Sequence, residues 1–321
     1  MTHHKKVALC ACSLLAFALS AAGASVPRIT QPVSLGPLPA EALRLPGDSQ
    51  VLMGLSMRAL VSSDFHWQFS QPGSPLRPTV LDELRLLTDL DSERDIDELV
   101  VAMGGSGEVL ILVIGRLDRP RLEAVWQRRA PQVPTYALAF LSEHALVLGS
   151  KQWVAATSGQ IDWPVLRSNA AMLALVRQVP EQAAFWMAGE GGAVSRLSAG
   201  SAKNPAKAIL PLGLPPLKSL VVAGEIGSSA DGAAEPLLIQ TLQADAADQQ
   251  SANNLAAALR GFVALIALQS SGKPATGDLA SAVDVTTEQT SVRLTAHLTS
   301  DMLAALVARS SAGRRPVQAA P

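Results

Sequence analysis

Ser142, Glu143 and His144 put a hydroxyl, a carboxylate and an imidazole side by side, the three groups that nucleophilic hydrolysis uses. Adjacent residues in a tight turn cannot face one another as nucleophile, base and orienter, and the chain has no G-x-S-x-G elbow. A hairpin turn accounts for them better. His66 and His297 stand alone, and no H-x-x-x-H spacing offers two imidazoles to one metal ion. His297 ends an alternating run and reads as an exposed or edge residue. Asp89, Asp91, Glu93, Asp95, Asp97 and Glu98 invite a calcium reading, since hard cations want several carboxylates on one short loop. Arg94 takes the sixth position, where the EF-hand turn needs Gly, and Val100 the twelfth, where a bidentate Glu belongs. A solvated link with Asp residues capping turns is the better reading. Gly189-Glu190-Gly191-Gly192 follows a strand but lacks the third glycine of a dinucleotide fingerprint and the Gly-Lys-Ser/Thr of a P-loop. A close backbone turn is expected there. No cofactor is expected.

Phe65, Trp67 and Phe69 alternate, so an extended chain would carry all three on one side. In a chain with only 4% aromatic residues they are the candidate contact surface. The competing reading folds them back as a flap over the core, because large apolar patches are seldom left exposed on monomers.

Charge and composition narrow the partners. Twenty-six basic residues against 27 acidic ones leave no surplus to neutralise phosphates, which argues against nucleic acid. A hydrophobic fraction of 48% with few aromatics calls for an aliphatic core. At the N-terminus, His3-His4-Lys5-Lys6 is a basic lead, Val7 to Ala22 an apolar stretch, and Ala22-Gly23-Ala24 an A-x-A site before Ser25. This predicts an export signal over 1–24, cleaved after Ala24, and a periplasmic or extracellular address. Both cysteines, Cys10 and Cys12, fall inside it, so the mature chain has no thiol for a disulfide or a thiolate metal site. Leu9-Cys10-Ala11-Cys12 as a lipobox is the rival, with too short an apolar run ahead of the cysteine. No integral membrane span is expected in the mature chain.

The elements that must position any site are organised around Asp95–Asp118. Two apolar runs, Leu99–Met103 and Val109–Ile114, flank Gly104-Gly105-Ser106-Gly107 and predict a hairpin central in a sheet, covered on both faces. Before it come a strand over Gln50–Met57, a short helix from Arg58, and a helix Val80–Leu90 capped by Thr79. After it come a helix Pro120–Arg129, a hairpin Thr135–Leu141 with Ala145–Leu148, and a short helix after Ser150. Asp95-Ile96-Asp97 before a Val-rich strand, with Gly115-Arg116-Leu117-Asp118 after its partner, resembles a set of uncharacterised exported bacterial proteins. The likeness spans chiefly Leu45–Gly159 and implies export and this fold class, with no activity attached.

The order then recurs. Ala183–Ala188 echoes the first strand, Lys218–Ile226 and Pro236–Ala244 the central hairpin, with Asp245 standing for Asp118. A long helix over Ala246–Gln269, a hairpin of Val283–Thr286 with Val292–His297, and a helix Asp301–Arg309 close the second half. The fold expected is α+β: two related modules, each a mainly antiparallel sheet with helices packed on one face. The divisions are a Pro-rich entry segment 25–45, module one at 46–160, a linker helix within 161–179, module two at 180–309, and a disordered tail 310–321. Ser198–Pro216 is expected to be a loop. Leu255–Leu268 is apolar nearly all round and is expected to lie between layers. The functional expectation is a non-catalytic binding or interaction protein with a protein or lipid partner. The alternatives are a lipid or envelope carrier with a cavity under that helix, and an enzyme with a loop-built site.

Overall fold

A computed structural model describes residues 37–70, 77–201, 216–228, 236–270 and 282–303. The strands are β1 (Val51–Ser56), β2 (Ile96–Met103), β3 (Val109–Gly115), β4 (Tyr136–Phe140), β5 (Ala145–Ser150), β6 (Ala183–Glu190), β7 (Leu217–Ser228), β8 (Pro236–Ala246), β9 (Val283–Glu288) and β10 (Ser291–Thr299). The helices are α1 (Met57–Val61), α2 (His66–Ser70), α3 (Thr79–Thr88), α4 (Arg119–Arg129), α5 (Lys151–Thr157), α6 (Ala170–Val176), α7 (Gly191–Ser201) and α8 (Gln249–Ser270). All ten strands form one antiparallel sheet in the order β4-β5-β3-β2-β1-β6-β7-β8-β10-β9. The fold is α+β, and the two halves meet along the β1–β6 pair.

The continuous apolar runs of the central strands follow from burial on both sides. Leu99, Val101 and Met103 face one core with Val109, Ile111 and Val113, while Val100, Ala102, Leu110 and Leu112 face the other. Each Val, Leu, Ile or Met side chain so removed from water contributes about 1.5–3 kcal/mol. The first face carries α1, α3, α4 and α8, through Leu60, Leu84, Leu122 and Leu255 among others. The second face is covered by the shorter α5 and α6, through Trp153, Val154, Met172 and Val176, and by Leu38 and Leu45 of the entry segment. Helices therefore lie on both faces, the long ones together on the first.

Read outward from the β1–β6 seam, the strand order is the same in both halves: β1-β2-β3-β5-β4 and β6-β7-β8-β10-β9. Leu-Val-Val-Ala recurs at 99–102 in β2 and 220–223 in β7. On the second face the halves diverge. The cross-strand row Val100–Leu112–Val147 becomes Val221–Gln243–Arg293, where the Arg293 guanidinium donates to Gln243 Oε1 at 2.8 Å. A polar row suits a sheet face turned to water, and no described helix covers β8 and β10 on that side as α5 covers β3 and β5.

Local chemistry sets the element ends. Asp118 caps α4 by accepting from Arg121 N at 3.2 Å, and Asp248 caps α8 by accepting from Ser251 N at 2.7 Å. Asp245, three residues before that cap, accepts instead from the Ser219 hydroxyl at 2.8 Å. Helix α3 starts at Thr79 with Pro78 at the cap, and ends on Asp89 at φ 57°. Asn169 caps α6 by accepting from Met172 N at 2.9 Å. The expected export signal, most of the Pro-rich segment, most of the Ser198–Pro216 loop and the 310–321 tail lie outside the described residues. The closing helix is helical from Ser300 and is described as far as Leu303.

Candidate functional site

The Phe65–Phe69 segment is not extended. It enters helix α2, which separates the three aromatics: Phe65 and Phe69, four residues apart, are 0% and 5% exposed in the first-face core, while Trp67 is 46% exposed. Phe69 meets Phe185 of β6 with ring centroids 6.5 Å apart. The three residues therefore share no surface, and of them only Trp67 offers itself to a partner. Period two and the helical i, i+4 spacing coincide for Phe65 and Phe69, so the expectation of a strand-like stripe fails on Trp67 alone.

The acidic run is a set of turn caps and pairs. Asp91 Oδ1 accepts from the backbone N–H of Glu93 and Arg94, and Asp95 Oδ2 accepts from Asp91 N at 3.0 Å. The Arg94 guanidinium grips Asp95 with bonds of 2.8 and 3.0 Å, which together hold that carboxyl below its ordinary value despite partial burial. Asp97 pairs with Arg58 at 3.1 Å, and Glu93 with His66 at 3.2 Å. Among the described residues no three His, Cys, Asp or Glu side chains converge as a metal site. The Asp-Ile-Asp and Gly-Arg-Leu-Asp patterns meet in space through the backbone: Arg116 N donates to Asp95 O at 2.9 Å, and a Cβ on Gly115 would lie 2.1 Å from that same oxygen.

Ser142, Glu143 and His144 form the β4–β5 turn. The Ser142 hydroxyl is engaged by the backbone N–H of His144 at 3.2 Å, and His144 O by Gly115 N at 2.9 Å. They line an open groove of about 740 Å³ with Arg116 and Asp118. His297, expected at an edge, is instead half-buried on β10, which runs between β8 and β9. At Gly191, where α7 begins, a Cβ would lie 1.9 Å from Leu217 O. That is the close backbone approach the glycine run predicts. Helix α8 buries Ala252, Leu255, Ala256 and Leu259, exposes Leu265, and uses Arg260 to donate to Val285 O at 2.8 Å. It is one-sided rather than enclosed, and no described helix is long and apolar enough to cross a membrane.

A second cleft lies at the seam between the halves. Gly54 of β1 stands opposite Val100 of β2 and Trp186 of β6. The indole fills the room left by the absent side chain, since a Cβ on Gly54 would lie 2.1 Å from Trp186 Nε1. At the end of β1, Ser56 stands opposite Glu98. Pro37–Pro39 comes over this strand end, anchored by buried Leu38. The turn closed by Ala183 N donating to Pro180 O at 3.1 Å brings Glu181 and Gln182 to the rim. These walls enclose about 480 Å³. That volume is within the roughly 300–1,000 Å³ of small-molecule sites.

Within the cleft the polar groups are unequal. Ser56 Oγ is taken up capping α1, accepting from Ala59 N at 3.3 Å. Glu98 is half-buried and, among the described residues, has neither an ion pair nor a hydrogen bond on its carboxyl. Burial pushes its pKa up; Arg58 offsets part of this, while Asp97 and Glu41 add to the rise. Glu225 on β7 is raised by burial alone and does not line this cleft. Trp186 is 3% exposed and forms part of the wall. Among the described residues lining the cleft, no nucleophile stands paired with a base. Sequence reasoning placed Glu98 in the acidic run and Trp186 in a strand without joining them, since 88 positions separate them. The available signal was a carboxylate heading an otherwise apolar strand. Set beside protein-family models, curated proteins and solved structures, the chain matches none.

Proposed function

We propose that this chain is an exported, non-catalytic binding protein whose ligand sits in the β1–β2–β6 cleft. The observation that carries the reading is the cleft itself: about 480 Å³, floored by Gly54 and Trp186 at the centre of the sheet, with the Glu98 carboxylate half-buried in it and Glu181 at its rim. Sites built on strands hold their geometry better than sites built on loops. Export is supported by the basic lead, apolar stretch and Ala22-Gly23-Ala24 of the N-terminus.

Amide shift mapping with a panel of small fragments of mixed charge tests the binding site. The expected result is shifts concentrated at Gly54, Ser56, Glu98 and Ala183. Shifts scattered over the surface, or none, would sink the reading. N-terminal sequencing of the protein recovered from its producing cell tests export: Ser25 as first residue is expected, and an intact Met1 refutes it.

A further inference from the structure

We infer that the cleft selects an organic cation, a primary ammonium on an apolar stem, with Glu98 as its counter-charge. The inference rests on the reading of the cleft as a ligand site and names the class of ligand. Its lining carries two carboxylates, Glu98 and Glu181, and no basic side chain among the described residues. An anion entering there would meet like charge and no donor cation, so the wall discriminates by repulsion as well as attraction. Glu98 sits between buried Leu99 on one side and the Asp97–Arg58 pair on the other. Arg58 is committed to Asp97 at 3.1 Å and is largely exposed, which leaves the Glu98 carboxyl without a contact partner of its own among the described residues. A partly desolvated carboxylate lacking a partner is disfavoured in water, and an arriving ammonium supplies charge-assisted hydrogen bonds that remove the penalty. Pro37, Leu38, Pro39 and Trp186 provide apolar surface for an alkyl stem, and an indole in the wall adds attraction for a cation. A hard divalent cation fits poorly, because it wants six or more oxygen ligands and no three acidic or histidine groups converge here among the described residues.

The test is calorimetric titration of the full chain with n-hexylammonium, n-hexanol and n-hexanoate, matched in stem and differing in charge. Hexylammonium binding at least tenfold tighter than hexanol, with no detectable hexanoate binding, is expected. Nα-acetyl-lysine N-methylamide, run alongside, distinguishes the source of the ammonium. Tighter binding than hexylammonium marks a peptide lysine as the natural group, and weaker binding marks a free amine. Glu98→Gln, which keeps the shape, should weaken hexylammonium at least tenfold, and Glu181→Gln at the rim by less than threefold. The comparison of the three probes needs no variant, so it decides the matter even if Glu98→Gln fails to fold. Equal binding of hexanol or hexanoate in the cleft overturns cation selection and leaves the cleft a ligand site. Binding heat with none of the three probes, together with no amide shift at Gly54 or Glu98 when they are added, overturns both.

Discussion

Gly115 and Gly261 show how differently one residue type is used. At Gly115 the chain turns out of β3 against the backbone of Asp95, and a Cβ would lie 2.1 Å from Asp95 O and 3.0 Å from Ile96 Cα. The obstacle is main chain, which cannot swing aside as a side chain does. Gly115→Ala should therefore lower stability by about 1–3 kcal/mol, the range for overpacking that forces backbone shifts. Gly261 lies inside α8, and nothing stands within 4 Å of a Cβ there. Gly261→Ala should raise stability by about 0.5–1 kcal/mol, by removing unfolded-state freedom from a helical position. Urea midpoints of the two variants read both signs, and a neutral Gly115→Ala would show that the Asp95–Arg116 junction is not close-packed. The same junction explains why Asp-Ile-Asp and Gly-Arg-Leu-Asp sit together in the sequence. They are the two sides of one backbone contact, Arg116 N to Asp95 O.

At the scale of the element, α2 separates the two readings of its aromatics. Phe65→Ala should destabilise by about 3–5 kcal/mol, because a fully buried ring leaves a cavity when truncated. Trp67→Ala, on the exposed side of the same turn, should stay within about 0.5 kcal/mol. Thermal unfolding of both variants checks the pair, and a large fall in Tm for Trp67→Ala would place that indole in the core. The β-structure was the legible part of the sequence. Strands such as Leu99–Met103 and Val109–Ile114 are runs of branched residues bounded by glycines, and local composition was enough to find them. The helix at His66–Ser70 was not legible, because five residues cannot separate a period of two from one of 3.6 when Phe65 and Phe69 satisfy both. The cleft was not legible either. Glu98 and Trp186 become neighbours only through β1, which pairs Ser56 with Glu98 and Gly54 with Trp186, and no local pattern carries a cross-strand register.

For the whole molecule, the question is whether two halves with the same strand order behave as two domains. The seam argues otherwise. β1 and β6 pair antiparallel over Val51–Leu55 and Phe185–Gly189, so neither half has a free sheet edge there. The first-face core runs without a break from Leu148 and Val113 through Met53 and Phe185 to Leu220, Leu294 and Val285. The second-face core likewise joins Leu110 and Trp153 to Trp186, Val221 and Ala223. Unfolding one half alone would strip the neighbour of cross-strand hydrogen bonds and expose apolar surface on both faces of its first strand. An edge so bared is also a template for aggregation. The chain should therefore unfold in one calorimetric transition, with van't Hoff and calorimetric enthalpies in agreement. Leu294→Ala, placed in β10 at the far side of the second half, should move that single transition down rather than split it. Two resolved transitions, with only one displaced by Leu294→Ala, would show that the seam couples the halves weakly. A cleft lined from both sides of such a seam by Glu98 and Trp186 would then open and close with them, whereas a single transition means its walls are held by the full ten-stranded sheet.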